Sequence, residues 1–260
     1  MYYCCGLTET GRPDHNEDAL LLHRTVVTDG AKQIACDAPF VCAVSDGVSG
    51  ENAGEVASKT CVTRLSGAKL TNRTAIRHAL LDIHSALAAM GKKDAALSRM
   101  QATLCGFAVD EKHCLFGFNV GDSRLYRLRR GVLEQLSRDQ TLVQLLYDEG
   151  SITSDEKKHH THRHIVMPVM GNPDSAPNPD VFAIPGGLNF GELMLLCTDG
   201  LSDSISEYEM AEVLALPKPL NERLHLMTMR AIEHGARDNI TAAAVVRYPD
   251  GIPLPPCEWV

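Results

Sequence analysis

The sequence predicts a layered α+β fold, and three observations carry that expectation. Strand-like hairpins alternate with pairs of amphipathic helices, and the links between successive strands are short, which favours antiparallel pairing. The 260 residues, 44% of them hydrophobic, also suffice for one sizeable core, so a single domain over 1–260 is expected. A doubly wound parallel sheet does not fit this order of elements.

Taken in order, residues 2–7, 19–27 and 39–45 have the β-branched and apolar enrichment of strands, with 28–37 as a hairpin loop. Helices follow over 53–65 and 74–90. In the second, Ile76, Leu80, Ile83 and Leu87 recur at helical spacing and give one apolar face to lay on a sheet. Residues 102–109, 114–120, 123–128 and 133–136 read as an antiparallel meander broken by Asp110-Glu111-Lys112, Gly121-Asp122 and Arg130-Gly131 turns. After a helix over 140–149, the polar stretch 153–180, with Pro, Asn and His prominent, reads as a flap. A buried strand at 193–198, helices over 207–214 and 220–234 and a last strand at 240–246 complete the chain.

A net charge of −8 argues against nucleic acid or an anionic membrane as main partner, since both reward a concentrated basic face. No apolar run approaches the roughly 20 residues of a membrane span. Nine cysteines are an odd number without CxxC spacing, and Met1-Tyr2-Tyr3-Cys4-Cys5 lacks the features of a signal peptide. Reduced thiols in the cytoplasm are expected, with Cys42, Cys105, Cys114 and Cys197 packing as small hydrophobes. Cys257 is fourth from the end, but Glu258 and Trp259 are not aliphatic, so prenylation is not expected.

Two apolar strands end alike, in Ser45-Asp46-Gly47 and Thr198-Asp199-Gly200. A third acid, Asp238, opens the final strand, and Glu17-Asp18 precede the second. Singly, each reads as turn punctuation. Gathered at one sheet end, the acids would repel one another unless a cation sat among them. Carboxylates, a glycine carbonyl and water make a hard oxygen site suited to Mg²⁺ or Mn²⁺.

Six segments appear in a telling order: Gly11-Arg12-Pro13-Asp14-His15-Asn16-Glu17-Asp18, Asp46-Gly47-Val48-Ser49-Gly50 with Gly54-Glu55-Val56-Ala57-Ser58, Gly121-Asp122-Ser123-Arg124-Leu125-Tyr126, Leu136-Ser137-Arg138-Asp139-Gln140-Thr141, Leu196-Cys197-Thr198-Asp199-Gly200-Leu201, and Asp238-Asn239-Ile240-Thr241. They resemble the motifs of PP2C-type (PPM family) metal-dependent serine/threonine protein phosphatases, in the compact bacterial style. The resemblance implies a four-layer α-β-β-α sandwich, two antiparallel sheets flanked by helix pairs. It implies that Asp46 bridges two Mn²⁺ or Mg²⁺ ions, that the Gly47 carbonyl ligates one, and that Asp199 and Asp238 complete the other site. Glu17 and Asp18 would hold metal-bound waters, and Asp122 with Asp199 a third ion. A water activated between the ions would attack phosphorus in line, with Arg12 gripping two phosphoryl oxygens through its planar fork. The implied substrates are phosphorylated proteins of a cognate serine/threonine kinase, met by a monomer in a bacterial cytoplasm.

Three departures from the family pattern stand out. Arg12 lies one residue farther from Asn16-Glu17-Asp18 than usual, with His15 as the extra residue. Val48 and Glu51 replace histidines found in some relatives, so the leaving group must be protonated by a metal-bound water or another group, for which His15 is a candidate. Gln140 replaces a histidine of the fourth motif. The histidines at 159, 160, 162 and 164 form a dense cluster, read as a solvated face or a substrate-side contact, with Arg163 among them. A non-catalytic binding module of the same fold and a small-molecule phosphohydrolase are the competing readings. The complete carboxylate set favours an enzyme.

Overall fold

The first strand of the computed structural model shows why its residues are apolar at nearly every position. In β1 (Tyr2–Glu9), Tyr2 and Cys4 face one side, Tyr3, Cys5 and Leu7 the other, and both sides are buried. A strand covered on both faces loses the usual alternation of apolar and polar residues. The structure describes residues 1–48 and 53–249; Gly50 and Glu51 of the second motif and Cys257 lie outside the described residues.

β1 pairs with β4 (Gly30–Cys36) and with β12 (Ile240–Arg247). Beyond β12 come β11 (Leu193–Cys197), β8 (Arg124–Arg129) and β9 (Val132–Gln135), giving an antiparallel sheet ordered β4-β1-β12-β11-β8-β9. The second sheet comprises β2 (Ala19–Leu22), β3 (Thr25–Val27), β5 (Phe40–Ser45), β6 (Leu104–Val109), β7 (Leu115–Val120) and β10 (Asp180–Ile184). Its order is β10-β7-β6-β5-β2-β3. The sheets meet through Tyr2, Phe40, Phe107, Leu125, Leu196 and Val245, among others. Helices α1 (Gly54–Ser66) and α2 (Arg73–Lys93) cover the outer face of the second sheet, where Ile76, Leu80, Ile83 and Leu87 are buried as their spacing predicts. Each such side chain contributes about 2 kcal/mol by burial. Short α3 (Leu142–Asp148), α4 (Ser154–His159) and α5 (Asp199–Ser202) precede α6 (Glu207–Leu214) and α7 (Leu220–Glu233), and this last pair covers the first sheet through Met210, Val213, Leu224 and Met227. The result is the expected four-layer α-β-β-α sandwich.

Capping fixes where several helices begin. Asn72 accepts from Ala75 N–H at the start of α2, and Ser206 with Glu209 forms a reciprocal capping box on α6. No helix among the described residues is long and apolar enough to cross a membrane.

The structure departs from the sequence reading in five places. Cys42, Cys105 and Cys197 pack in the core, but Cys114, expected beside them, is exposed just before β7. Residues 28–37 are not a loop: they contain β4, an edge strand whose Lys32 and Gln33 gave it no strand-like enrichment. The segment 19–27 is a hairpin of β2 and β3, not one strand. The four-strand meander is two hairpins in different sheets, because the tight turn at Gly121 (φ 111°) carries the chain across the sandwich. β10, pairing with β7 after a proline-rich approach, was not anticipated.

Candidate metal centre

The strand ends marked by Asp-Gly converge, and they come from different sheets. β5 delivers Asp46, β11 delivers Asp199, and Asp238 stands where the chain enters β12. These three acids and Asp122, from the turn between β7 and β8, line one cleft of about 660 Å³. Asp18 is buried, its Oδ2 accepting from Thr198 Oγ1 at 2.9 Å. Glu17 lies over the first turn of α1: a Cβ added to Gly54 would stand 3.0 Å from its carboxylate. Gly47 packs so tightly on Gly54 that a Cβ there would meet the Gly54 backbone at 2.5 Å.

Such crowding has an electrostatic signature. Burial, reinforced by Asp199 and Asp238, pushes the Asp18 carboxyl up to about 7. Burial, with Asp238 and Asp203 adding, pushes Asp199 up to about 6. Asp46 and Asp122 are raised well above the usual carboxylate range by burial first and by neighbouring acids second. Oδ1 of Asp18 and Oδ1 of Asp199 are buried without a hydrogen-bond partner among the described residues. Unpartnered buried carboxylate oxygens are costly. An all-oxygen donor set of clustered carboxylates, with two oxygens awaiting a partner, fits a hard divalent cation.

Neutral side chains hold the acids in place. Asp46 N–H donates to Thr103 Oγ1 at 3.0 Å, Thr103 N–H returns a bond to the Asp46 carbonyl at 2.8 Å, and Thr103 Oγ1 lies 2.8 Å from Ser123 Oγ beside Asp122. Asn239 donates to the carbonyls of Thr10 (2.7 Å) and His15 (3.1 Å) and accepts from Glu17 N–H (2.8 Å), lashing the 10–17 loop to β12. Asn239→Ala would strand those three backbone groups. It is expected to cost roughly 2–3 kcal/mol in urea unfolding and, because the loop carries Glu17, to weaken Mn²⁺ binding by roughly 10–100-fold in titration calorimetry.

Arg12 is exposed at the cleft rim, its Nη2 3.8 Å from where a Gly235 Cβ would stand, and Gly235 lines the cleft. Arg163 and Arg237 line the cleft directly. His15 is exposed and places Nε2 3.2 Å from Glu17 Oε1, and Val48 lines the cleft. Gln140 braces the Asp122 turn, its backbone N–H donating to the Gly121 carbonyl at 2.8 Å and its Oε1 accepting from Gly121 N–H at 3.2 Å.

The segment 153–180 divides in two. Its first part carries α4, opened by a Thr153/Glu156 capping box, and the exposed His159, His162 and His164. Its second part returns to the core, where Val169 and Met170 are buried and Met170 bridges to Ala102. The histidines do not form one cluster. His160 and His162 pack edge to face at 5.5 Å, whereas His164 turns to the acids with Nδ1 3.8 Å from Asp203 Oδ2. Thr103, Thr198, Asp203 and Arg237 were not singled out from the sequence. Asp203 alone had a local signal, one helical turn after Asp199.

Comparison with known proteins gives a consistent result. A family profile described as Protein phosphatase 2C matches residues 14–232. The chain is 30% identical over 250 residues to the serine/threonine phosphatase stp of Listeria monocytogenes, covering 92% of this chain and 94% of that protein. It is 34% identical over 217 residues to the serine/threonine protein phosphatase PstP of Mycobacterium tuberculosis, covering 80% of this chain and 41% of that protein. Among solved structures, the catalytic domain of PstP in complex with two manganese ions superposes with a TM-score of 0.74 at 28% identity, over 95% of this chain and 99% of that one.

Proposed function

The chain belongs to the protein phosphatase 2C family of metal-dependent phosphatases, and on that premise we propose that it hydrolyses phosphoserine and phosphothreonine monoesters in proteins, using two Mn²⁺ or Mg²⁺ ions. The observation that carries the proposal is the meeting of Asp46, Asp199 and Asp238, from both sheets, in one cleft.

In this reading the Asp46 carboxylate, the Gly47 carbonyl, Asp199 and Asp238 would hold the two ions, Glu17 and Asp18 would hold water bound to them, and Asp122 with Asp199 would hold a third ion more weakly. When bound, the ions supply the positive charge that lowers the pKa of water towards ~7 and offsets charge gathering on the phosphoryl oxygens. Arg12, at the rim, steadies the phosphoryl group through its fork, with Arg163 and Arg237 lining the same cleft. The chain acts as one catalytic domain, a monomer in the cytoplasm that opposes a serine/threonine kinase.

The test is turnover of p-nitrophenyl phosphate with and without Mn²⁺, followed by a panel of phosphopeptides against phosphorylated metabolites. Equal, negligible rates with and without the ion would leave only a binding module, and preference for metabolites would replace the protein substrate.

The carboxyl shifts add a stability prediction. Asp18 near 7 and Asp199 near 6 are raised from an ordinary value of 3.8, so the cation-free fold binds protons more tightly than the unfolded chain. The stability they contribute is full below about pH 4 and is lost as pH rises through 6 to 7. In EDTA, Tm is expected to fall between pH 5 and pH 8. Millimolar Mn²⁺ at pH 8 is expected to restore it, by roughly 5 °C or more. A Tm in EDTA that is flat across this range counts against the clustered acids.

A further inference from the structure

Away from the acids, two thiols lie against each other near the edge of the first sheet. Cys4 Sγ and Cys36 Sγ are 3.9 Å apart, on the adjacent strands β1 and β4. Tyr2 pairs with Cys36 and Cys4 with Ile34, so the two cysteines are diagonal neighbours. Cys4 is fully buried between the sheets, while Cys36 is half-buried on the edge strand, within reach of solvent. The contact polarises the pair. Hydrogen bonding from Cys4 holds the Cys36 thiol below its ordinary pKa, and the same contact, with Cys42 beyond it, pushes Cys4 well up. One sulfur is thus the more accessible and the more acidic of the two, and the other is a thiol held behind it.

We infer that Cys4 and Cys36 form a redox modification site, in which a hydroperoxide oxidises Cys36 and Cys4 then closes a reversible disulfide. The Cys36 thiolate attacks a peroxide oxygen. The O–O bond breaks, an S–O bond forms, and the departing hydroxide or alkoxide takes a proton from water, so sulfur loses two electrons and the peroxide gains them. Cys4 then gives up its proton and attacks the sulfenic sulfur. An S–S bond forms, the S–O bond breaks, and water leaves.

The sulfurs must close from 3.9 Å to about 2.05 Å, and a diagonal pair is wider than a directly opposed one. β4 has room to yield, because in its sheet it is bonded to β1 alone. A bridge closed by such a shift is readily reduced, as strained disulfides are. The site is independent of the phosphatase reading: Cys4 lies four residues, about 13 Å of strand, from the Thr8 end of β1 that reaches Thr241 and Asn16.

The test treats the intact protein with hydrogen peroxide in modest excess, blocks free thiols, and maps unreduced peptides with fragmentation that separates Cys4 from Cys5. The expected product is a Cys4–Cys36 cross-link, lighter by two hydrogens and lost on adding dithiothreitol. In Cys4→Ala, a sulfenic acid at Cys36 is expected to react with dimedone instead. Cys36→Ser is expected to keep wild-type phosphatase turnover and to form no bridge to Cys4. Oxidation confined to the exposed Cys114, a bridge from Cys36 to any other cysteine, or over-oxidation of Cys36 without a bridge would each overturn the assignment.

Discussion

Asp199→Asn is expected to lower kcat for p-nitrophenyl phosphate in Mn²⁺ by about 10³-fold or more, while making the cation-free protein more stable. The two effects have one cause. The Asp199 carboxyl is buried and feels Asp238 and Asp203, so in EDTA its charge is a burden on the fold. Asparagine keeps the shape at the start of α5 and removes that charge, relieving the repulsion. It also removes a donor that a divalent ion needs, and the stabilisation by Mn²⁺ should shrink with the activity. A misfolded variant would lose turnover and stability together. A lower Tm in EDTA than wild type therefore defeats the electrostatic account, even if activity vanishes.

Gly200→Ala is expected to destabilise the protein by about 3 kcal/mol or more in urea unfolding and to abolish turnover. A Cβ at Gly200 would stand 2.0 Å from the carbonyl oxygen of Asn239, and that obstacle is backbone, with no rotamer to move. Relief requires the end of β11 or the start of β12 to retreat, and those two points deliver Asp199 and Asp238. Gly131→Ala is the control. Gly131 has φ 79° with nothing near its missing Cβ, so only its backbone conformation is penalised, by about 1 kcal/mol. Equal losses for the two variants would mean that close approach at Gly200 is not what shapes the site.

Much of this was legible because the informative signals are local. Asp-Gly after an apolar run marks a strand end, and the spacing of Ile76, Leu80, Ile83 and Leu87 marks a helix face. Both are written into a few consecutive residues. What escaped depends on partners far away in the chain. β4 and β10 are edge strands, buried less and paired on one side only, so Lys32, Gln33 and the prolines before Asp180 concealed them. The crossing at Gly121 looks like any hairpin turn, and which sheet β8 joins is decided by Leu193–Cys197, far along the sequence. Thr103 and Thr198, each one residue outside a strand, look ordinary until the fold sets them against Asp46 and Asp18. Apart from Asp203, the acids are legible in the sequence; Thr103 and Thr198, which hold them, are not.

Neither half of the sandwich owns the centre. Glu17, Asp18 and Asp46 hang from one sheet and Asp199 and Asp238 from the other, with Asp122 on the span between them. A nascent chain with only one layer assembled presents only part of the acidic cluster. On the proposed reading, an ion seated once both layers are shut would act as a rivet through two plates and resist their sliding past each other.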